Sequence, residues 1–450
     1  MSDRERADLV YEKLLARAGE RWVQPRKERV ARVLTLLDDP QRTYRVVHIT
    51  GTNGKTSTAR MIESLLRAHG LRTGLFTSPH LKRFTERIMI DGEPIADAAV
   101  ADAWDEIEPF VGIVDAELAA TGDEPLTFFE LLTVLAFVAV ADAPVDVLVL
   151  EVGMGGSWDS TNTADGDVAV FTPIDLDHAD RLGDTIAAIA EVKAGIIKQG
   201  AAVVSAQQPA EAAAVLRRAA AEHDASIAFE GEQFGLSAQK LAVGGQLITV
   251  RGLAGEYADE YLPLYGAHQG HNAALAVAAV ESLIGGATQR IAGDILADGF
   301  QNATSPGRLQ LVGIAPTVVV DAAHNPHGAA ALARSLDDSF DFDEWGLVLG
   351  VLADKDAAGI LGSLLPAVTE VFATAPESSR AADADTLADL VEAGGRRASV
   401  HASLAEAADA AREWASASDR RAVVIAGSIV LAGEALLLAE DEDWKSGWRS

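Results

Sequence analysis

Gly51-Thr52-Asn53-Gly54-Lys55-Thr56-Ser57 stands between an apolar run, "YRVVHIT", and an amphipathic stretch, "TSTARMIESLLRAHG". A glycine-bearing turn that opens a helix presents unpaired backbone N–H groups and the positive end of the helix dipole, a setting that suits phosphate. Gly51 and Gly54 let the backbone approach phosphate oxygens closely. Lys55 adds a charged donor for the β- and γ-phosphates, and Thr56 or Ser57 adds a hydroxyl. The common phosphate-loop pattern G-x-x-x-x-G-K-[ST] has glycine where this chain has Ile49.

Other residues of chemical interest follow at strand ends. "DVLVLEVGMGGSWDSTN" closes a buried run with Glu151 and then a glycine cluster. A carboxylate at the carboxyl edge of a sheet is a candidate Mg²⁺ ligand, and the glycines argue for close approach by a ligand. "TPIDLDHADRLGDT" ends another strand with Asp175, Asp177 and His178. Carboxylates there serve as turn formers, and His178 is read either as a metal ligand or as a satisfied polar residue. Lys193 sits in the apolar "TIAAIAEVKAGIIKQG". Such a lysine either snorkels to water or is buried and able to lose its proton.

These residues need an open α/β scaffold. Continuously apolar strands alternate with helical stretches along nearly the whole chain: "YRVVHIT", "VDVLVLEVG", "DVAVFTPI" and "AAVVSA" first, then "TVVVDAAHNP", "WGLVLGV", "EVFATA" and "RRAVVIAGS". The pattern predicts mainly parallel sheets covered on both faces. "FGLSAQKLAVGGQLITVRG" reads as a β-hairpin turning at Gly244-Gly245. "QNATSPGRLQ" is rich in turn formers and divides the chain into residues 1–303 and a smaller α/β domain, 304–450. A chain of 450 residues is also too long for one ordinary core.

Composition excludes several function classes. There is no cysteine, so disulfides, thiolate metal sites and cysteine nucleophiles are ruled out. A net charge of -30 disfavours non-specific nucleic-acid binding, yet a basic pocket can sit inside an acidic surface. "LTFFELLTVLAFVAVADAPV" carries Glu130 and Asp142 and reads as a buried core helix rather than a membrane span. The charged N-terminus lacks the apolar core of a signal peptide. The expectation is a soluble, cytoplasmic monomer without nucleic-acid or membrane partners.

"GTNGKTS", "FTSPHL", "LTFFE", "LEVGMGG", "LDH", "KAGIIK", "GHNAALA", "SPGR" and "DAAHNPHG" occur in this order. Together they resemble the Mur ligase superfamily, specifically folylpolyglutamate synthases, including the bifunctional dihydrofolate synthases. The likeness spans nearly the whole chain. Its phosphate loop is the shorter G-T-N-G-K form, so Ile49 no longer counts against it.

The resemblance implies a P-loop ATPase domain followed by a Rossmann-like domain. It also implies a ligase that phosphorylates a folate or dihydropteroate carboxylate with ATP and joins L-glutamate to it. Gly51, Thr52, Asn53, Gly54, Lys55, Thr56 and Ser57 would cradle ATP, and Asn272 would read the adenine edge. Ser78 and Glu151 would hold one Mg²⁺, and Glu151 and His178 a second. Lys193 resembles a lysine that forms a carbamate with CO₂, although Val192 replaces the glutamate often found before it. Arg308 would reach the γ-phosphate. Asp321 and His324 would meet ATP and the incoming glutamate, with Ser428 near the same amino acid. Phe128 and Phe129 would wall the pterin pocket, and Lys82, Arg83 and Arg87 would hold substrate carboxylates.

Two other readings compete. A Mur ligase acting on a cell-wall nucleotide typically carries a whole domain before the loop, and only 50 residues precede Gly51 here. A non-catalytic ATP-binding module would have no use for Lys193, Arg308, Asp321 and His324 together. One ligation or two, and the roles of Thr56 against Ser57, stay open at this level.

Overall fold

A computed structural model describes residues 1–19, 26–177 and 179–445; His178 lies outside the described residues. Strands β1 (Arg45–Thr50), β2 (Thr73–Phe76), β3 (Ile88–Ile90), β4 (Glu93–Pro94), β5 (Val147–Glu151), β6 (Val168–Phe171), β7 (Ala202–Ser205) and β8 (Ser226–Phe229) form one sheet. Its order is β4-β3-β2-β5-β1-β6-β7-β8, and only β3 pairs antiparallel, with both β2 and β4.

The apolar strands serve two cores at once. Val47 and Ile49 of β1 face a core with the helices Lys55–Ala68 and Ala267–Gly285, whereas Val46 faces one with the helix Phe128–Asp142. In β5, Val147 and Val149 join the first core, and Leu148 and Leu150 the second. Side chains alternate along a strand, so a strand covered on both faces is apolar throughout.

The chain leaves β1 for β2, returns to β5 beside β1, and then crosses to β6 on the other side. That reversal opens a crevice beyond the carboxyl ends of β1, β5 and β6, the usual ligand position in open α/β sheets. Ile49 stands opposite Glu151 in the ladder, which sets this carboxylate level with the start of the phosphate loop.

The Phe128–Asp142 helix is buried along nearly its whole length. Glu130, the residue that weighs against a membrane span, closes a capping box: its Oε2 accepts the Thr127 N–H at 2.7 Å, and it lies 3.5 Å from buried Arg29. No described helix is long and apolar enough to cross a membrane.

A three-stranded antiparallel sheet, β9 (Gly235–Ala242), β10 (Gly245–Arg251) and β11 (Glu256–Leu262), follows. Ala242 pairs with Gly245, so the hairpin turn is Val243-Gly244, one residue earlier than the sequence suggested. Only Gly244 of the pair takes positive φ, at +78°.

The chain then passes from the helix Gly293–Gln301 into a second sheet. Strands β12 (Gln310–Ile314), β13 (Thr317–Val320), β14 (Glu344–Leu349), β15 (Glu370–Ala373), β16 (Arg397–Val400) and β17 (Arg421–Ala426) pair in the order β12-β13-β17-β14-β15-β16. Only β12 is antiparallel to its neighbour.

Candidate active site

A cleft of about 1020 Å³ lies between the carboxyl edge of the first sheet and the loops that follow β13 and β17. It contains the phosphate loop, Ser78, Glu151, Lys193, Asn272, Arg308, Asp321, His324 and Ser428. Lys55, Arg87, Lys193, Arg308, Arg334, Lys355 and Arg380 line it. These seven basic side chains share the lining with six carboxylates, Glu130, Glu151, Asp159, Asp177, Glu230 and Asp321, so cations are concentrated there relative to a chain of net charge -30.

Gly51 adopts φ +153°, and a Cβ there would sit 1.8 Å from Thr172 Oγ1. Gly54, at φ +86°, starts the Lys55–Ala68 helix in a left-handed conformation, and a Cβ there would meet Asn272 Oδ1 at 2.9 Å. No side chain caps this helix, so its first N–H groups are available to an anion. Lys55 Nζ donates to the carbonyls of Gly51 (3.2 Å) and Thr52 (3.0 Å), and so lies across the loop. Thr52 Oγ1 bonds the backbone of Asp175 at 3.0 Å. Asn53 Oδ1 accepts from Asn325 Nδ2 at 3.4 Å, across the cleft.

Thr56 and Ser57 part company. Thr56 Oγ1 donates to Glu151, at 3.0 and 2.9 Å from the two carboxylate oxygens. Ser57 is buried, and its hydroxyl pairs with that of Ser305 at 2.8 Å. Burial pushes the Glu151 carboxyl above its ordinary range; Lys55, the Thr56 hydroxyl, Arg308 and the Ser78 N–H oppose that shift.

Lys193 lies in the last turn of the helix Ile186–Ala194, and Nζ donates to Gly51 O at 2.8 Å. Burial, with Lys55 nearby, lowers its ammonium to about 7. The glycines after Glu151 are explained by the chain itself. A Cβ at Gly153 would strike the Phe129 ring at 2.4 Å, and one at Gly156 would strike Val192 O at 2.7 Å. Protein atoms thus approach this turn closely, and Gly153 and Gly155 also line the cleft.

Asp159, quoted in that glycine-rich stretch but not singled out, orders it. Its Oδ2 accepts the Met154 N–H at 2.9 Å, while Oδ1 accepts from the Thr161 N–H (3.0 Å) and hydroxyl (2.6 Å). An Asp before Ser-Thr, able to form an Asx turn, was the available signal.

From the second domain, Asp321 is buried and binds the N–H groups of Leu309 (2.9 Å) and Ala323 (2.8 Å). It thereby ties the "SPGR" turn to the end of β13. Burial raises its carboxyl, with Arg308 opposing. His324 Nδ1 lies 2.9 Å from Ala322 O, an atom that only accepts, so Nδ1 carries the proton and Nε2 is an acceptor. Burial lowers this imidazole to about 4.

Several predicted substrate contacts are placed elsewhere. Phe129 lines the cleft, but Phe128 is buried in the core around the helix Phe128–Asp142. Lys82 pairs with Glu440 and Arg83 with Asp97, at 2.9 Å for the latter, and neither lines the cleft. The basic residue of that loop that does is Arg87, buried, bonded to His80 Nδ1 at 2.8 Å and 5.3 Å from the Phe128 ring centre. A charged loop beside an acidic domain face finds partners there, a pairing that short-range sequence cannot show. The Ser428 hydroxyl accepts the Leu431 N–H at 3.0 Å as a helix cap. His80 of "FTSPHL" also lines the cleft, as do Trp158, Arg334 and Lys355, which no motif or period marks.

The Mur ligase middle domain matches residues 49–280, and the Mur ligase glutamate ligase domain matches residues 307–429. The dihydrofolate synthase/folylpolyglutamate synthase of Mycobacterium tuberculosis is 45% identical over 93% of this chain and 92% of its own. The folylpolyglutamate synthase of Lacticaseibacillus casei is 38% identical over 76% of this chain and 79% of its own. A solved structure of the Mycobacterium tuberculosis folylpolyglutamate synthase, complexed with ADP, superposes with a TM-score of 0.92 at 44% identity, covering 97% of this chain and 99% of that one. With both halves of the cleft on matching domains, the chain belongs to the folylpolyglutamate synthase/dihydrofolate synthase family of Mur ligases.

Proposed function

We propose that the chain uses ATP to join L-glutamate to the γ-carboxylate of a reduced folate, and to the carboxylate of dihydropteroate, at one site. The observation that carries this reading is the opposition across one cleft of Lys55 on its phosphate loop and of Arg308, Asp321 and His324. The family's two activities in the Mycobacterium tuberculosis relative's name support the pair of acceptors.

The acceptor carboxylate attacks the γ-phosphorus and ADP leaves. The glutamate amine then attacks the acyl carbon, phosphate leaves with the bonding pair, and the amine gives up a proton. Positioning and charge neutralisation supply most of the rate in such transfers. Residues 1–303 would hold ATP and the acceptor, and residues 304–450 the glutamate. Lys55 and the free N–H groups hold the phosphates, with Asn272 beside the loop for the base. Arg308 reaches the transferred phosphoryl group. His324, neutral with Nε2 as acceptor, orients the incoming amine, and Asp321 fixes the turn that carries Arg308. Closure of the two halves gates the reaction.

The donors around Glu151 fit Mg²⁺: the buried carboxylate and the Thr56 hydroxyl that meets it are oxygen, and Ser78, whose N–H meets Glu151, carries another hydroxyl. Glu151 and Ser78 would hold one ion, Glu151 and His178 another. Bound there, Mg²⁺ neutralises the triphosphate. Lys193, poised to be a neutral amine, would add to CO₂ and lose a proton, giving an anionic carbamate. We read the protein as a cytoplasmic monomer; its acidic charge supports a small-molecule substrate over nucleic acid.

The test incubates purified protein with ATP, Mg²⁺, L-glutamate and each acceptor in turn. ADP release that requires acceptor and glutamate, with a product one glutamyl residue longer, is the expected result for both. Product from one acceptor alone reduces the reading to a single ligase, and product from neither overturns it.

A further inference from the structure

Leu81 belongs to the loop between β2 and β3, yet it packs against the hydrophobic core of the second domain, with Val312, Val320, Leu431 and Leu436. Its backbone meets the helix Ile429–Asp441 at Gly433, where a Cβ would lie 2.0 Å from Leu81 O and 2.9 Å from Leu81 C. Its side-chain methyls meet Gly307 of the "SPGR" turn, where a Cβ would lie 3.3 and 3.4 Å from them. A glycine within a helix is destabilising relative to alanine, so close backbone contact gives Gly433 a physical reason.

The loop is stiff. The Glu86 carboxylate accepts the N–H groups of Leu81 (3.0 Å), Lys82 (3.3 Å) and Arg83 (3.1 Å). Lys82 adds an ion pair to Glu440 of the same helix. Three residues before Leu81, the Ser78 N–H donates to Glu151, and His80 lines the cleft.

We propose that Leu81 and Gly433 form a peg and socket through which the second domain sets the position of Ser78 against Glu151. Both are positioning residues for the ligation, and the proposal takes the cleft as the ligase site argued above. When the domains part, the peg leaves its socket and the Ser78–Glu151 contact loses its support. Catalysis then waits on docking of the Ile429–Asp441 helix as well as on ATP.

The experiment compares Gly433→Ala and Leu81→Ala with the parent protein, each verified as folded by circular dichroism. In both, kcat falls roughly tenfold or more, the size expected from misplacing a reacting group by a fraction of an ångström to 1 Å. KM for ATP and Kd for ADP stay at parent values, because the phosphate loop is untouched. Hydrogen exchange speeds up in residues 77–87 and stays unchanged in residues 55–68. A purely structural role would lower the melting temperature and leave both kcat and this exchange pattern alone, and that result overturns the proposal. Should Gly433→Ala fail to fold, Leu81→Ala, which only removes atoms, carries the test. If the parent protein shows no ligation, the assigned reaction falls, while the exchange pattern still decides the peg and socket.

Discussion

Lys193 and Lys55 share one acceptor: Gly51 O lies 2.8 Å from Nζ of the first and 3.2 Å from Nζ of the second. Burial lowers the Lys193 ammonium to about 7, and Lys55 on the same carbonyl adds to the shift. Under the proposed carbamylation, Lys193 supplies the neutral amine that addition to CO₂ requires. With carbon-13-labelled bicarbonate, a carbamate resonance should appear as pH rises through about 7 and be absent from Lys193→Met. Lys55→Met should move that onset upward. An onset near the ordinary lysine value would contradict the assignment.

The same shift has a stability consequence. The unfolded lysine keeps its proton up to about 10.5, whereas the buried one loses it near 7. The unfolded chain therefore binds the extra proton between those values, and stability rises with pH across that window. Urea unfolding at stepped pH should show a positive slope there, reduced in Lys193→Met. Equal slopes in the two proteins would count against a buried, proton-poor Lys193.

One buried histidine and three half-buried ones act at acid pH. His48 is lowered to about 3, and His80, His268 and His324 to about 4, in each case chiefly by burial. Below 6.5 the unfolded chain takes up protons that the native one refuses, so stability should fall as pH drops from 6.5 towards 4. The measured proton uptake on unfolding near pH 5 should exceed one. His268→Gln should lower it by up to about one proton. An uptake unchanged in His268→Gln would show that this ring is charged in the native state.

Thr56 and Ser57 should separate cleanly. Thr56→Val removes the donor to Glu151 and should raise the Mg²⁺ concentration needed for half-maximal rate. Ser57→Ala and Ser305→Ala should each cost about 1–3 kcal/mol of stability, because each leaves the other hydroxyl buried without its partner. The double variant should lose less than the sum, as read by a double-mutant cycle of urea midpoints. Additive losses would show that the two hydroxyls do not interact.

Arg87 and Lys82 should differ in the same way. Arg87→Ala should raise KM for the folate acceptor and leave KM for ATP unchanged, with partial recovery in Arg87→Lys. Lys82→Ala should leave acceptor KM unchanged, because Lys82 faces Glu440 outside the cleft. The reverse ranking would place the acceptor carboxylates on the outer part of the loop.

The sequence by itself determined the alternation of strands and helices, the phosphate loop and the strand-end carboxylate Glu151. These rest on local physics: an apolar run buried on both faces, a glycine turn before a helix, a motif of adjacent residues. Thr73–Phe76 and Arg397–Val400 escaped, since Thr73 and Gly74 in one and Arg397 and Ser399 in the other leave no continuous apolar run.

Only the tertiary structure decided what each of two neighbours meets: Thr56 bonds Glu151 while Ser57 bonds Ser305, and Phe129 and Arg87 line the cleft while Phe128, Lys82 and Arg83 do not. It also decided that Leu81 enters a core more than 200 residues away in sequence, and that Asp159 orders the glycine turn. Adjacent residues on a helix or loop point in different directions. What each one meets depends on elements brought beside it by folding, and that partner is not written in its own neighbourhood.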